Sequence, residues 1–413
     1  MRARRWLLPL ILLAAGCERE ATWNGSLESL LESRPDRFGT VMENPAAHRV
    51  QIIYTQIDRD ADNVPSFQSF TYRVDDDEYF YPASTVKLPT ALLALEKINE
   101  LAIPGLTRDS VMLTGAVGDV QTAQITDESS PGGLPTVAHY IRKILLVSDN
   151  DAFNRLYEFI GQQALNERMH EKGYRGTRIM HRLEIALGLD ENRHTNPVVF
   201  TRGNAVVFEQ NDVMSDRLFT ADDPILLGQA EIVDGQRLQR PKDFAEKNAF
   251  PLQEQHDVLL ALMFPDSVPA RWRFGLTDDD YRFVYRNMSG YPGDSGIDAY
   301  ADANRYPDGY VKFLMFGGDV ETIPDNIRIF NKVGDAYGFL TDVAYIVDVE
   351  NDVEFILAAT IYTNANATFN DNEYEYDSIG LPFLEALGQT IYELELERDR
   401  PHRPNLGRFL TSE

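Results

Sequence analysis

Residues 327–363 read IRIFNKVGDAYGFLTDVAYIVDVENDVEFILAATIYT. Three runs rich in Val, Ile, Phe, Tyr and Thr stand out: Ile327 to Val333, Phe339 to Val349 and Val353 to Thr363. Short links of Gly, Asp and Asn part them, which predicts three consecutive antiparallel strands. Near the other end of the chain, His48 to Ile57 and Phe67 to Val74 read the same way, as a strand pair. Between these ends the apolar spacing turns helical. Val86, Leu88, Leu92, Leu93, Leu95 and Ile98 mark a helix from Ser84 to about Leu101, and Thr136 to Val147 and Asp151 to Ile160 give two more. A last helix is expected from Leu381 to about Glu397. Strands at both ends with helices between them specify the α+β class. One antiparallel sheet is closed by the two chain ends, flanked by helices, and carries an inserted helical domain.

The expected division follows from that order. Residues 45–84 and 325–413 form the sheet domain, and 85–200 the helical domain with its active-site loops. Residues 201–324 are an insertion of unknown role, irregular in pattern, with Asp257 to Phe264 and Asp278 to Met288 as its helical stretches. A chain of 413 residues with a 43% hydrophobic and 25% charged composition is an ordinary globular protein, not a disordered one. Acids outnumber bases by 65 to 39, for a net charge of −26. That balance argues against nucleic acid as a partner, because phosphates need a basic face. The Asp58, Asp60 and Asp62 series superficially suggests a calcium loop. Asn63 and Ser69 stand where such a loop needs glycine and glutamate, so a solvated hairpin link is expected. The seven histidines form no HExxH or close pair, and neither a metal nor a cofactor is expected.

The single cysteine excludes a disulfide framework and a cysteine-built metal site. Residues 1–16 carry Arg2, Arg4 and Arg5, then an apolar run from Trp6 to Ala15 that is too short to span a bilayer. This reads as a signal peptide. Leu13-Ala14-Ala15-Gly16-Cys17 resembles a bacterial lipobox, which implies lipidation at Cys17 and a tether over residues 17–44 in the periplasm; Glu18 directly after Cys17 resembles lipoproteins sorted to the outer membrane.

Three short constellations carry chemistry. In Ser84-Thr85-Val86-Lys87 the serine and lysine lie one helical turn apart, so Lys87 is expected to point at the Ser84 hydroxyl. Apolar neighbours desolvate such a lysine, lower its pKa and let it act as a base on serine. Ser148-Asp149-Asn150 offers three good helix caps. It also offers a hydroxyl able to relay a proton and an amide able to hold a substrate amide. Asn331-Lys332-Val333-Gly334 places a lysine on a strand whose glycine lets a ligand approach the edge closely. The Asp335 N–H is then expected to share an oxyanion hole with that of Ser84.

Taken in order, Ser-x-x-Lys, Ser-Asp-Asn and Lys-x-Gly resemble the penicillin-recognising serine enzymes, the superfamily of class A β-lactamases and penicillin-binding proteins. His181-Arg182-Leu183-Glu184-Ile185-Ala186-Leu187-Gly188 is similar to the omega-loop motif of the class A branch. The resemblance covers about residues 45–200 and 325–395 and implies a β-lactamase/transpeptidase-like fold. It implies that Ser84 is the nucleophile, Lys87 its proton acceptor, Ser148 a proton relay and Glu184 the base for the deacylating water. Asn150, Lys332, Gly334 and Asp335 are implied to bind substrate. The implied activity is hydrolysis of a β-lactam or related amide through an acyl-enzyme. The alternatives are a D-alanyl peptidase-like enzyme acting on a cell-wall peptide, or a catalytically silent envelope binding protein. Three departures bear on the choice. Val333 stands where the family has a hydroxyl, Gly188 where it has a water-positioning asparagine, and no arginine follows Lys332 on the next strand, where Asp342 and Asp348 lie.

Overall fold

The computed structural model describes residues 23–118, 121–320 and 322–409. The expected signal peptide and Cys17 lie outside the described residues. The tether expected over 17–44 is corrected: α1 (Leu27–Glu32) and α2 (Pro35–Met42) fold onto the sheet domain. The reason lies in Leu27, Leu30, Leu31, Phe38 and Val41, which recur at helical spacing and are all buried. Arg37 fixes the pair by two hydrogen bonds to Glu393, at 3.1 and 2.7 Å.

The chain then forms β1 (Gln51–Arg59) and β2 (Pro65–Tyr72), joined by a turn in which the Asp60 carboxylate accepts from the N–H groups of Asp62 and Val64. β1 starts three residues later than the sequence suggests. Arg49 adopts φ 45°, which breaks the extended run, and His48 instead pairs its carbonyl with the Tyr362 N–H at 2.7 Å. The tight turn Ala83–Val86 leads into α3 (Lys87–Leu101), followed by β3 (Val111–Thr114), α4 (Val137–Val147), α5 (Asn150–Ile160) and α6 (Gln162–Lys172).

The stretch expected as an insertion supplies structural parts of the body. β4 (Val198–Arg202) and β5 (Ala205–Gln210) pair with β3 in a small antiparallel sheet. β6 (Ala230–Val233) and β7 (Gln236–Leu238) form a hairpin. α7 (Leu252–Met263) packs across β1 and the last two large strands, and α8 (Asp278–Ser289) packs against the strand that carries Lys332. α7 starts five residues before its sequence signal, whereas α8 starts where expected, at Asp278, with Thr277 as its cap accepting from the Asp280 N–H.

β8 (Ile327–Ala336), β9 (Phe339–Asp348) and β10 (Val353–Tyr362) complete the large sheet, in the order β8-β9-β10-β1-β2, antiparallel throughout. The register Ile53↔Ala358 joins the two ends of the chain. Tyr337 and Gly338 link β8 to β9 with φ 55° and 80°, the two positive values that a tight hairpin needs. β11 (Thr368–Phe369) pairs with β6, and α9 (Leu381–Glu397) closes the chain over the sheet. The architecture is of mixed α+β class, the expected antiparallel sheet built from both ends of the chain and flanked by helices.

Both faces of the sheet are covered, which explains why β9 is buried at every position. On one face Ile52, Tyr54, Ile329, Val333 and Leu357 meet α1, α2, α9 and residues 311–315. On the other, Ile53, Phe330, Val343, Tyr345 and Ile356 meet α7, α8 and, beyond them, α3 to α5. Each fully buried Leu, Ile or Val contributes roughly 1.5–3 kcal/mol of burial. This second face carries the site, because β8 alternates and sends Lys332 toward the helices while Asn331 and Val333 point the other way.

Candidate active site

Ser84 sits in the tight turn Ala83–Val86 that opens α3, half-buried. Ala83 before it is held at φ 47°, left-handed backbone that costs a non-glycine residue energy and is retained where surrounding structure imposes it. The free edge of β8 lies against this turn. A Cβ placed on Gly334 would fall 2.5 Å from the Pro82 carbonyl oxygen and 3.0 Å from the Ser84 nitrogen. Only glycine permits this approach, and the main chain at Gly334 and Asp335 is thereby set beside Ser84.

Lys87 is fully buried, and its placement differs from the expected one. Among the described residues its ammonium hydrogen-bonds the Ser148 carbonyl, the Ser148 Oγ at 3.2 Å and the Asn150 Oδ1 at 2.6 Å, with Ser84 taking no part. The local sequence explains the division of labour. Of the three possible caps, Asp149 takes the capping role, its Oδ1 accepting from the Ala152 N–H at 2.8 Å. Ser148, ending α4 at φ 58°, and Asn150 are left to face the lysines. Lys332 is buried too and donates to the same Ser148 Oγ at 2.8 Å. Two lysines therefore converge on one hydroxyl. Burial, reinforced by Lys332, holds Lys87 well below the usual lysine range. Burial pushes Lys332 down to about 7, opposed by Asp335 and Asp342.

Glu184 lies on the loop after α6, exposed, at φ 56°. It is near enough for its charge to act on Lys87 and on Asp335. Two anchors hold this loop. Arg182 donates to the Glu158 carboxylate at 3.1 Å inside the protein, and also to the carbonyls of Glu191 and His194. Asn154, one turn along α5 from Asn150, clamps the residue before Glu184: it donates to the Leu183 carbonyl at 3.0 Å and accepts from the Leu183 N–H at 2.9 Å. Neither Asn154 nor Glu158 was singled out by the sequence, since a lone amide or acid on a helix carries no local signature. Their placement four positions apart on one face of α5 was the available signal.

Asp335 follows Gly334, its side chain open to water at the mouth of the site but crowded by protein, which raises its carboxyl; Lys332 and Lys87 oppose that shift. Val333 turns away from the site into the core on the opposite face.

A second buried cluster lies directly behind Lys332. Lys312 is fully buried and donates to the carbonyls of Met288 and Ile329, at 2.8 and 3.1 Å, and to the Asn331 Oδ1 at 2.8 Å. Asn331 passes the connection to Asp342 at 2.8 Å, and Asp342 also accepts from the N–H groups of Phe313 and Leu314. Burial pushes Lys312 down to about 7 and Asp342 up to about 6. A lysine lowered in the folded state and near its ordinary value when unfolded is protonated mainly in the unfolded chain between those two values. Stability should therefore rise with pH from about 7 until the tyrosines begin to ionise near 10, by up to about 1.4 kcal/mol per pH unit for each such lysine. Lys312→Met should flatten this rise between pH 7 and 9, as measured by urea unfolding. Equal slopes in both chains would show that Lys312 keeps its proton in the fold.

Residues 40–230 match the model of the β-lactamase enzyme family. The match takes in Ser84, Lys87, Ser148, Asn150 and Glu184 and ends well before Lys332 and Gly334, which the fold alone brings to the same place. No curated protein matches the chain. Among solved structures, a β-lactamase from Sphaerobacter thermophilus DSM 20745 is 12% identical, with 90% of this chain and 98% of that one covered and a TM-score of 0.49. PBP-A is 14% identical over 89% and 97%, at 0.49, and a β-lactamase from Burkholderia ambifaria is 17% identical over 83% and 95%, at 0.43.

Proposed function

We propose that the protein is a serine hydrolase of the β-lactamase and penicillin-binding-protein type, acting through an acyl-enzyme on Ser84. The observation that carries this reading is the convergence of Lys87 and Lys332 on the Ser148 hydroxyl beside a serine pressed against a strand edge. Lys87, its pKa lowered by burial, takes the Ser84 proton as the Oγ attacks the substrate carbonyl. The N–H groups of Ser84 and Asp335 receive the developing oxyanion. Ser148, held between the two lysines, passes a proton to the leaving group. Glu184 then activates the water that releases the acyl group. Asn150 positions a substrate amide.

A class A type of β-lactam hydrolysis is the finer form of this reading. The exposure of Glu184 and the lack of a side chain at Gly188 favour a second form, a peptidase-like enzyme on cell-wall peptides with slow release to water. Labelling with a fluorescent serine-reactive phosphonate tests the shared core of both. The label should map to Ser84 and vanish in Ser84→Ala; a label retained by that variant would remove the nucleophile assignment.

A further inference from the structure

The residue beside the oxyanion hole is an acid, and the surrounding features point to what it selects. Gly334 is wedged against Ser84, so Asp335 is the first side chain on the strand edge past the nucleophile. Its carboxylate acts on Lys332 and Lys87 and shares the mouth of the site with Glu184. The group that would welcome a substrate anion is weak on every count. Val333 offers no hydroxyl and is packed into the opposite core. Lys332 already donates to the Ser148 Oγ and to its neighbour's carbonyl at 2.9 Å.

A segment rich in tyrosine flanks the helix that leads into the site. Tight turns at Pro292–Ser295 and Asp308–Val311 pack on α4, the helix that ends at Ser148. Lys312 then ties the same segment to β8 through Ile329 and Asn331. Between these anchors runs a tyrosine ladder, Tyr300 to Tyr306 at 5.2 Å and Tyr306 to Tyr310 at 5.0 Å between ring centroids. Tyr310 feels the charges of both Asp335 and Glu184. A guanidinium already rests on this ladder, Arg305 over Tyr306 at 5.2 Å. Carboxylates beside aromatic faces make a receptor for a positive charge.

We propose that the site takes acyl donors whose leaving group carries an ammonium, not a carboxylate, and that Asp335 makes this choice. The proposal rests on the acyl-enzyme reading above. In the reaction the Ser84 Oγ–carbon bond forms, the bond to the leaving group breaks, and the serine proton passes by way of Lys87 and Ser148 to the leaving atom. The test uses two thioesters with the same acyl group, one of thiocholine and one of thioglycolate, and compares the rates of Ser84 acylation by intact mass. The native chain should react on the order of tenfold faster, or more, with the thiocholine ester. Asp335→Asn should shrink that ratio and Asp335→Lys should invert it; because each variant reacts with both probes, a general loss of activity cancels. Equal rates in the native chain, or a ratio unmoved in both variants, would overturn the proposal and leave the acyl-enzyme reading standing. Absence of any Ser84 adduct with either probe would overturn both.

Discussion

Lys87→Met will melt within a few degrees of the native chain yet acylate Ser84 about 10²–10⁴-fold more slowly. The size of the loss is that of removing a positioned proton acceptor. The tolerance of the fold follows from burial. Lys87 is fully enclosed and held well below its ordinary pKa, so the fold carries a cost for it that an apolar side chain of similar length does not impose. Methionine forfeits the hydrogen bonds to Ser148 and Asn150, each worth roughly 1 kcal/mol, and removes the desolvation cost in exchange. Thermal melting and acylation rates on the same preparations check the two halves. An unchanged acylation rate would mean that another group accepts the serine proton.

Glu184→Gln should leave acylation nearly unchanged and make the Ser84 adduct persist, because only the second half-reaction needs a base acting on water. Release should slow by roughly two to four orders of magnitude, the usual contribution of a general base. Gly188→Asn should act the other way. Gly188 has an ordinary φ of −72° and caps the short helix that follows, a position that asparagine favours. One restored hydrogen bond to the water is worth about 1–3 kcal/mol, or roughly one to two orders of magnitude in release rate. Single-turnover decay of the adduct reads both effects. A lifetime indifferent to Glu184→Gln would assign water activation elsewhere and favour the peptidase-like form.

Much of this was legible in the chain before the structure. The sheet could be read because β8, β9, β10 and β1 are buried on one or both faces and so spell out long β-branched and aromatic runs, while the edge strand β2 alternates half-buried aromatics with exposed polar residues. The helix α9 was legible to its ends, Leu381 and Glu397, since no competing signal interrupts its apolar period. Local signals failed where meaning came from distant partners. Residues 27–42 looked like a polar tether until their five apolar side chains met the sheet. α7 and α8 were legible in part, as Asp257 to Phe264 and Asp278 to Met288; the first turns of α7 were not, because Leu252 finds its apolar partners only in the fold. Among the candidate site residues, the serine and the two lysines were singled out by their short motifs and the glutamate by its resemblance to the omega-loop motif. Asn154, Glu158 and Lys312 did not, because an isolated polar residue takes its role from the carbonyls and carboxylates that the fold places around it. The hydrogen bonds of Lys87 illustrate the same limit. Spacing along α3 directed it toward Ser84, whereas three acceptors at the α4–α5 junction fix it there instead.

Ser84 should become acylated and then be freed. A time course of intact mass after mixing the full chain with a fluorescent penicillin or an activated ester follows both events. The expected result is a mass increase equal to the acyl group, mapped by peptide digestion to Ser84, absent in Ser84→Ala, and decaying as Glu184 directs water to it. A chain whose mass never changes, or an adduct mapped to any other residue, would contradict it.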